Sequence, residues 1–256
     1  MSVSRPVPPQ VIPRPPTWMP GAPAPWADVQ REDRTGISVQ RVLDALTALG
    51  QRGPVPEDVD SDRLLGPTVT VNEAVAPGPL RVNAGVLAAL FEEEGEARLI
   101  FTRRSAGLRT HRGEVSFPGG RLDEGEDATT AALREAHEEV GLDRSSVTPV
   151  GWIHPVMTMV SASVILPVLA TIPARPHLVA NAAEVERVFD VALAELADLS
   201  VYHEERWRIP GRTVPGSDDG SFAIRFFEVS GEMIWGATAR MIHELLSIVL
   251  TGKNGL

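Results

Sequence analysis

The chain contains no cysteine, which excludes disulfides, thiolate metal sites and a cysteine nucleophile and leaves either redox compartment open. It is also short of positive charge: 24 Lys and Arg stand against 34 Asp and Glu, a formal net charge of -10. Affinity for the nucleic-acid backbone comes mainly from clustered cationic side chains, so no nucleic-acid partner is expected. An acidic protein that handles phosphates then needs metal cations or a local basic patch. The opening residues MSVSRPVPPQVIPRPP lack an apolar core and do not read as a signal peptide. A membrane span is missing as well. The longest uncharged stretch, Ile153 to Ala174, is broken by Pro155 and Pro167 and is rich in β-branched residues, the pattern of two buried strands. The sequence is therefore read as soluble and cytoplasmic, and its 43% hydrophobic content over 256 residues supports one ordinary core. Nothing in it fixes an oligomeric state.

What the chain does have is punctuation. Proline crowds Pro6 to Pro25, and proline sustains neither helix nor sheet ladders, so residues 1–34 form an extended arm. Trp18 and Trp26 leave two readings of it open, one strapped onto the domain and one disordered. The arm could also act as an extended ligand for an aromatic-lined groove. A helix from Ser38 to Leu49 follows, with Val42, Leu43, Leu46 and Leu49 on one face and Gly50 as its stop. It belongs to a short helix and linker at 35–78. The main domain, 79–252, opens with strands over Asn83–Phe91 and Ala97–Thr102 around a Glu92–Glu96 turn. Further strands are expected at Val147–Ile153, Val160–Thr171, Val185–Val191 and Phe222–Val229, with helices at Ala128–Val140 and Thr238–Leu250. Mixed strands with a few covering helices indicate a single α/β/α sandwich.

The densest chemistry lies in Gly120 to Leu142, GRLDEGEDATTAALREAHEEVGL. Its helical part carries Glu135, Glu138 and Glu139 at i, i+3 and i+4, so three carboxylates share one face. Ala128 and Ala131 fall on the same arc and leave room for a ligand, whereas Thr129, Ala132, Leu133, Ala136 and Val140 form the opposite, core-facing arc. Most acidic helix faces are solvated surfaces. Here the helical neighbours are poorly matched: Glu135 has Ala131 and Glu139, Glu139 has Glu135 and Asp143, and only Glu138 has an opposite charge, Arg134. A bound cation would relieve the repulsion. An oxygen-only cluster suits Mg²⁺ or Mn²⁺, which neutralise and orient phosphate and activate water. Directly upstream, Arg103, Arg104, Arg109, His111 and Arg112 concentrate positive charge suited to an anionic substrate.

This stretch resembles the Nudix box, G-x(5)-E-x(7)-R-E-U-x-E-E-x-G-U with U apolar, at every fixed position. From average residue usage, a chance match is on the order of one in 10⁹ per starting position. The resemblance implies a Nudix domain in which Glu135, Glu138 and Glu139 are metal ligands, Glu126 and Arg134 brace the preceding loop, and Gly120 makes the tight turn. Upstream, IFTRRSAGLRTHRGEVSFPGG resembles the additional motif of coenzyme A pyrophosphatases, matching at Thr102, Arg104, Ser105, Arg109, Gly113, Phe117, Pro118, Gly119 and Gly120. Ile100 and Phe101 replace two leucines. On that resemblance Arg104, Ser105, Arg109, His111, Gly113, Phe117, Gly119 and Gly120 form the substrate-binding set. Later segments beginning at Asn181 and Met233 are similar to the same relatives, so the resemblance spans about Arg81 to Leu250 and leaves out the proline-rich arm and a loop at His203–Gly220.

The implied reaction is metal-dependent hydrolysis of the diphosphate of coenzyme A or a derivative, giving 4'-phosphopantetheine and adenosine 3',5'-bisphosphate. Water is the nucleophile, and Glu138 and Glu184 are the candidate general bases. Glu184 also reads as an ordinary strand-edge carboxylate. Competing readings are another nucleoside diphosphate derivative, such as ADP-ribose or a dinucleotide, and a non-catalytic nucleotide-sensing regulator. The partner in each case is a small-molecule nucleotide.

Overall fold

The computed structural model describes residues 10, 12–54, 58–59, 80–108, 111–158, 163–208 and 219–255. The proline-rich segment enters as strand β1 (Trp18–Pro20). Helix α1 (Val39–Ala48) follows, capped by the Ser38 hydroxyl, which accepts from the Arg41 N–H. Gly50, at φ +67°, ends it as its sequence position predicts.

Strand β2 (Ala84–Glu93) folds back into β3 (Glu96–Arg104) through Glu94 and Gly95, both at positive φ. Paired positive φ values match the right-handed twist of the strands in a two-residue hairpin. Short strands β4 (Val115–Ser116) and β5 (Gly119–Arg121) pair with β3 and β2 and lead into helix α2 (Ala128–Val140). Then come β6 (Thr148–Trp152), β7 (Val156–Met157), β8 (Val164–Thr171) and β9 (Val185–Ala192). The start expected for β8 at Val160 lies outside the described residues. The main sheet runs β9-β3-β2-β8-β6, with β8 parallel to β2 and the other pairs antiparallel.

Period-two alternation turns this sheet into the middle of a sandwich. Leu87, Ala89 and Phe91 of β2 point with Leu166, Val168 and Ala170 of β8 into a cluster beneath Ala132, Ala136 and Val140 of α2. Their sequence neighbours Ala88, Leu90 and Leu169 enter the opposite cluster with Val42 and Leu46 of α1. The final helix, numbered below as α4, adds Ile242, Leu245 and Leu246 on that side. The fold is the expected α/β/α sandwich with a mixed sheet.

A second sheet, β1-β10-β11-β12, was not anticipated. After a one-turn helix α3 (Leu193–Leu196), β10 (Tyr202–Trp207), β11 (Phe222–Val229) and β12 (Glu232–Trp235) lead to α4 (Gly236–Thr251). The segment read as a loop from His203 thus begins as a strand, and residues 209–218 lie outside the described part. Charge concealed it. Glu204 and Glu205 are buried because they are partnered: Glu204 by the Ala22 N–H and Arg225, Glu205 by Arg14 and the Trp207 indole N–H.

The described part of the arm takes the strapped reading. Trp18 pairs with Trp207 along β1, and Trp26 is fully buried with its indole N–H donating to Ala197 O at 3.0 Å. Among the described residues no helix is long and apolar enough to cross a membrane. Trp26→Ala should lower unfolding free energy by about 3–5 kcal/mol in urea titrations. A loss below about 1 kcal/mol would mean that the arm contributes no docking energy.

Candidate functional site

Helix α2 is built for precision. Asp127 caps its start by accepting the Thr130 N–H at 2.6 Å, and Gly141 at φ +67° ends it. The helix lies so close to β2 that a Cβ on Gly85 would stand 2.1 Å from Ala128 O. Ala128 therefore belongs to the core cluster, correcting its expected place on the acidic arc. Ala132, Ala136 and Val140 face the core as predicted, while Thr129 and Leu133 are only half-buried.

The three glutamates occupy different environments. Glu139 has a side chain only 4% exposed; its Oε2 accepts the Gly119 N–H at 3.2 Å, and Arg104 Nη1 stands 3.7 Å from its Oε1. Burial raises the Glu139 pKa to about 7, the Gly119 bond and Arg104 oppose this, and the charges of Glu135 and Glu184 add to the rise. Glu135 lies against Gly120, where a Cβ would come within 2.4 Å of its Oε1. Glu138 is half-exposed.

Arg134 ties these groups to the preceding loop. Its Nε and Nη2 donate to the two oxygens of Glu126, both at 2.9 Å, and Nη2 also reaches Arg121 O at 3.0 Å. Its Nη1 donates to Glu135 at 2.9 Å and to Glu138 at 3.3 Å. Arg134, aided by the Asp123 N–H, holds the Glu126 carboxyl down at about 2, and Glu126 raises the Arg134 pKa in turn. Helical spacing had left Glu135 and Glu139 without cationic partners. The structure supplies both, Arg134 one residue away and Arg104 from β3.

The upstream loop divides into inward and outward residues. Ser105 N–H donates to Glu184 O at 2.7 Å, which brings exposed Glu184 beside the loop. Gly113, at φ +67°, donates its N–H to Arg104 O. His111 is exposed, with Nδ1 2.8 Å from Glu114. Phe117, expected in the substrate-binding set, is 2% exposed, stacks on Phe101 at 5.0 Å and sits in the core cluster. Arg103 likewise turns inward, to Glu232 at 2.5 Å and Glu186 at 3.3 Å. Arg109 lies outside the described residues. Sequence reading missed Glu186 and Glu232, which carry no local signal.

Whether this set suits a divalent cation can be tested on its chemistry. Glu135 and Glu139 both pack against the Gly119–Gly120 backbone, the Glu135 charge raises the proton affinity of Glu139, and every donor is a hard oxygen. Among the described residues no three acid or imidazole groups already close around one point. Arg134 Nη1 bridges Glu135 and Glu138, and Arg104 approaches Glu139. The donor chemistry therefore suits a hard divalent cation, with Glu135 and Glu139 against the Gly119–Gly120 backbone and Glu138 half-exposed.

Residues 79–209 match the NUDIX domain family. The chain is 33% identical over 175 residues to Nudix hydrolase 3 of Caenorhabditis elegans, covering 64% of this chain and 72% of that protein. It is 36% identical over 148 residues to a Photorhabdus laumondii protein named Uncharacterized Nudix hydrolase NudL, covering 57% of this chain and 74% of the relative. Among solved structures, a Nudix hydrolase from M. smegmatis, RenU, aligns at a TM-score of 0.37 and 24% identity over 45% of this chain and 74% of its own.

The raised Glu139 pKa gives a signed expectation for metal-free protein. Between the ordinary 4.5 and about 7, the folded state binds this proton more tightly than the unfolded chain. The resulting stability is present at low pH and is lost as pH rises through that window. In EDTA, Glu139→Gln should therefore gain stability relative to the parent between pH 5 and pH 8, read by urea unfolding. An equal difference at both pH values would contradict the buried, proton-binding carboxyl.

Proposed function

Because the chain belongs to the NUDIX domain family, whose members are diphosphate-cleaving hydrolases of nucleotide derivatives, we propose that its substrate is coenzyme A or a close derivative. The products are 4'-phosphopantetheine and adenosine 3',5'-bisphosphate. The observation that carries the reading is the 3.7 Å approach of Arg104, from the segment resembling the coenzyme A pyrophosphatase motif, to Glu139 of the acidic helix. That approach brings the arginine-rich segment beside the carboxylate cluster and supports reading the two as one site.

In this reading Glu135, Glu138 and Glu139 hold Mg²⁺ or Mn²⁺, which when bound neutralises phosphate charge and acidifies water. Glu126 and Arg134 keep the Gly120–Glu126 turn fixed against α2 through their paired hydrogen bonds. Arg104 offers a charge-assisted contact to a diphosphate oxygen, and the backbone N–H groups around Gly113 and Ser105 fix the curvature of the loop. Water attacks one phosphorus, the bond from that phosphorus to the bridging oxygen breaks, and the water proton passes to a carboxylate. Glu138 and Glu184 are the two groups assigned to that proton. Both are exposed enough to meet it.

Product analysis tests this directly: purified protein with Mg²⁺ or Mn²⁺ is incubated separately with coenzyme A, ADP-ribose, NADH and a diadenosine polyphosphate. Coenzyme A should yield adenosine 3',5'-bisphosphate, and EDTA or Glu139→Gln should abolish the product. Glu126→Gln, which loosens a ligand-orienting contact, should lower kcat/KM by about 10–100-fold. Cleavage of another substrate in preference would remove the coenzyme A assignment. Cleavage of none would favour a nucleotide sensor.

A further inference from the structure

Four charged side chains meet at an irregularity of the main sheet, one residue from Arg104. Strand β9 pairs with β3 so that Val185 stands opposite Arg104 and Arg187 opposite Arg103, which leaves Glu186 as the extra residue of a bulge. That register sets two arginines directly across from each other, an arrangement that is repulsive by itself. Glu232 of the second sheet resolves it. Its Oε2 accepts from Arg103 Nη1 at 2.5 Å and its Oε1 from Arg187 Nη1 at 2.9 Å. Glu186 completes the group, with Oε2 3.3 Å from Arg103 Nε.

A tight turn puts Glu232 there. Ser230 and Gly231, both at positive φ, close a two-residue hairpin between β11 and β12 that sets Glu232 opposite Val229. Ser230 O also accepts from Arg187 Nη1 at 3.3 Å. The side chains of Arg103 and Glu232 are both buried. A buried ion pair seldom adds more stability than a well-packed apolar pair of the same volume, because desolvation offsets the attraction. What this one fixes is pairing, since its partners on β3, β9 and β12 meet in one alignment of the three strands.

That alignment matters because β3 alternates. Arg103 and Arg104 are sequence neighbours and point to opposite faces, one to Glu232 and the other to within 3.7 Å of Glu139. Glu184 lies just before the bulge, where its O accepts the Ser105 N–H at 2.7 Å, and its charge reaches Glu139. A slip of one residue would exchange the faces of both arginines and withdraw Glu184 from Ser105. We propose that Glu232 is a positioning residue for the hydrolytic site: by bridging Arg103 and Arg187 across the bulge at Glu186, it sets the register that presents Arg104 and Glu184 to the carboxylate cluster. The inference rests on the hydrolase reading of that cluster and assigns a role to a residue on the other sheet.

The test combines kinetics with amide exchange in the full chain. Glu232→Gln keeps the shape and removes the charge. It is assayed with Mg²⁺ or Mn²⁺ on whichever of coenzyme A, ADP-ribose, NADH and a diadenosine polyphosphate the parent cleaves. KM should rise about 10-fold with kcat changed far less, since a displaced Arg104 loses its substrate contact. Adding Glu232→Gln to Arg104→Ala should cost nothing beyond Arg104→Ala alone, because both act on one contact. Losses that multiply, or a fall confined to kcat, would assign Glu232 to general stability and overturn the proposal. Hydrogen exchange followed by NMR needs no substrate. The Ser105 and Gly113 amides, which donate to Glu184 O and Arg104 O, should exchange roughly 10-fold faster in Glu232→Gln while those of α2 keep their rates. A uniform change, or none, would equally overturn it. If urea titration shows Glu232→Gln unfolded, Arg187→Gln removes the other half of the bridge at a side chain 43% exposed and carries the same tests. A parent that cleaves none of the four substrates defeats the hydrolase reading, and the exchange rates alone then decide whether Glu232 sets the register.

Discussion

The close approach of α2 to the edge formed by β2 and β5 governs the geometry of the site. At Gly85 the helix backbone arrives where a side chain would begin, and at Gly119, held at φ +154°, a Cβ would lie 2.4 Å from Gly85 O. At Gly120 the obstacle would be the Glu135 carboxylate itself. Three backbone positions must therefore lack side chains before the acidic helix can lie on the turn that precedes it. Once it does, Gly119 N–H fixes one carboxylate and Gly120 gives space to another, so backbone packing sets the spacing of the acids.

That packing brings like charges together, and two arginines counter the repulsion unequally. Arg134 spreads a rigid fork over Glu126, Glu135 and Glu138, and the two parallel bonds to Glu126 orient the guanidinium. Glu139 receives only the longer approach of Arg104 and is the most buried of the three. Its high proton affinity follows first from that burial, which the Gly119 N–H and Arg104 offset only in part. The same burial makes Glu139 the carboxylate with most to gain from a cation, because a proton and a metal ion relieve one and the same desolvated charge.

Much of this was legible locally. The α2 boundaries, its cap and stop, and the β2–β3 hairpin follow from periodicity and from single residues at turn positions. What failed was long-range. Arg103 sits within a basic run, yet it is buried with Glu232, 129 residues away. Ala128 looks like part of the acidic arc on a helical wheel, but the neighbouring strand decides which face it shows. Strand β10 breaks the alternation rule with two glutamates whose partners come from the arm and from β11. In each case a polar or small residue takes its role from a contact that sequence spacing does not encode.

The same sorting changes how substrate capture should be understood. Counted along the chain, Arg103 to Arg112 form a basic patch. In space, Arg103 is neutralised by Glu186 and Glu232, Arg104 leans on Glu139, and Arg112 donates to the Leu108 carbonyl. In a chain whose net charge is -10 overall, Arg103, Arg104 and Arg112 add little long-range attraction for a polyanion, since exposed charges are screened within about 8 Å at physiological ionic strength. Recognition of a diphosphate is then a contact effect. On the proposed reading Arg104 would be the cation to meet that diphosphate, since it already stands 3.7 Å from the most buried carboxylate of the cluster.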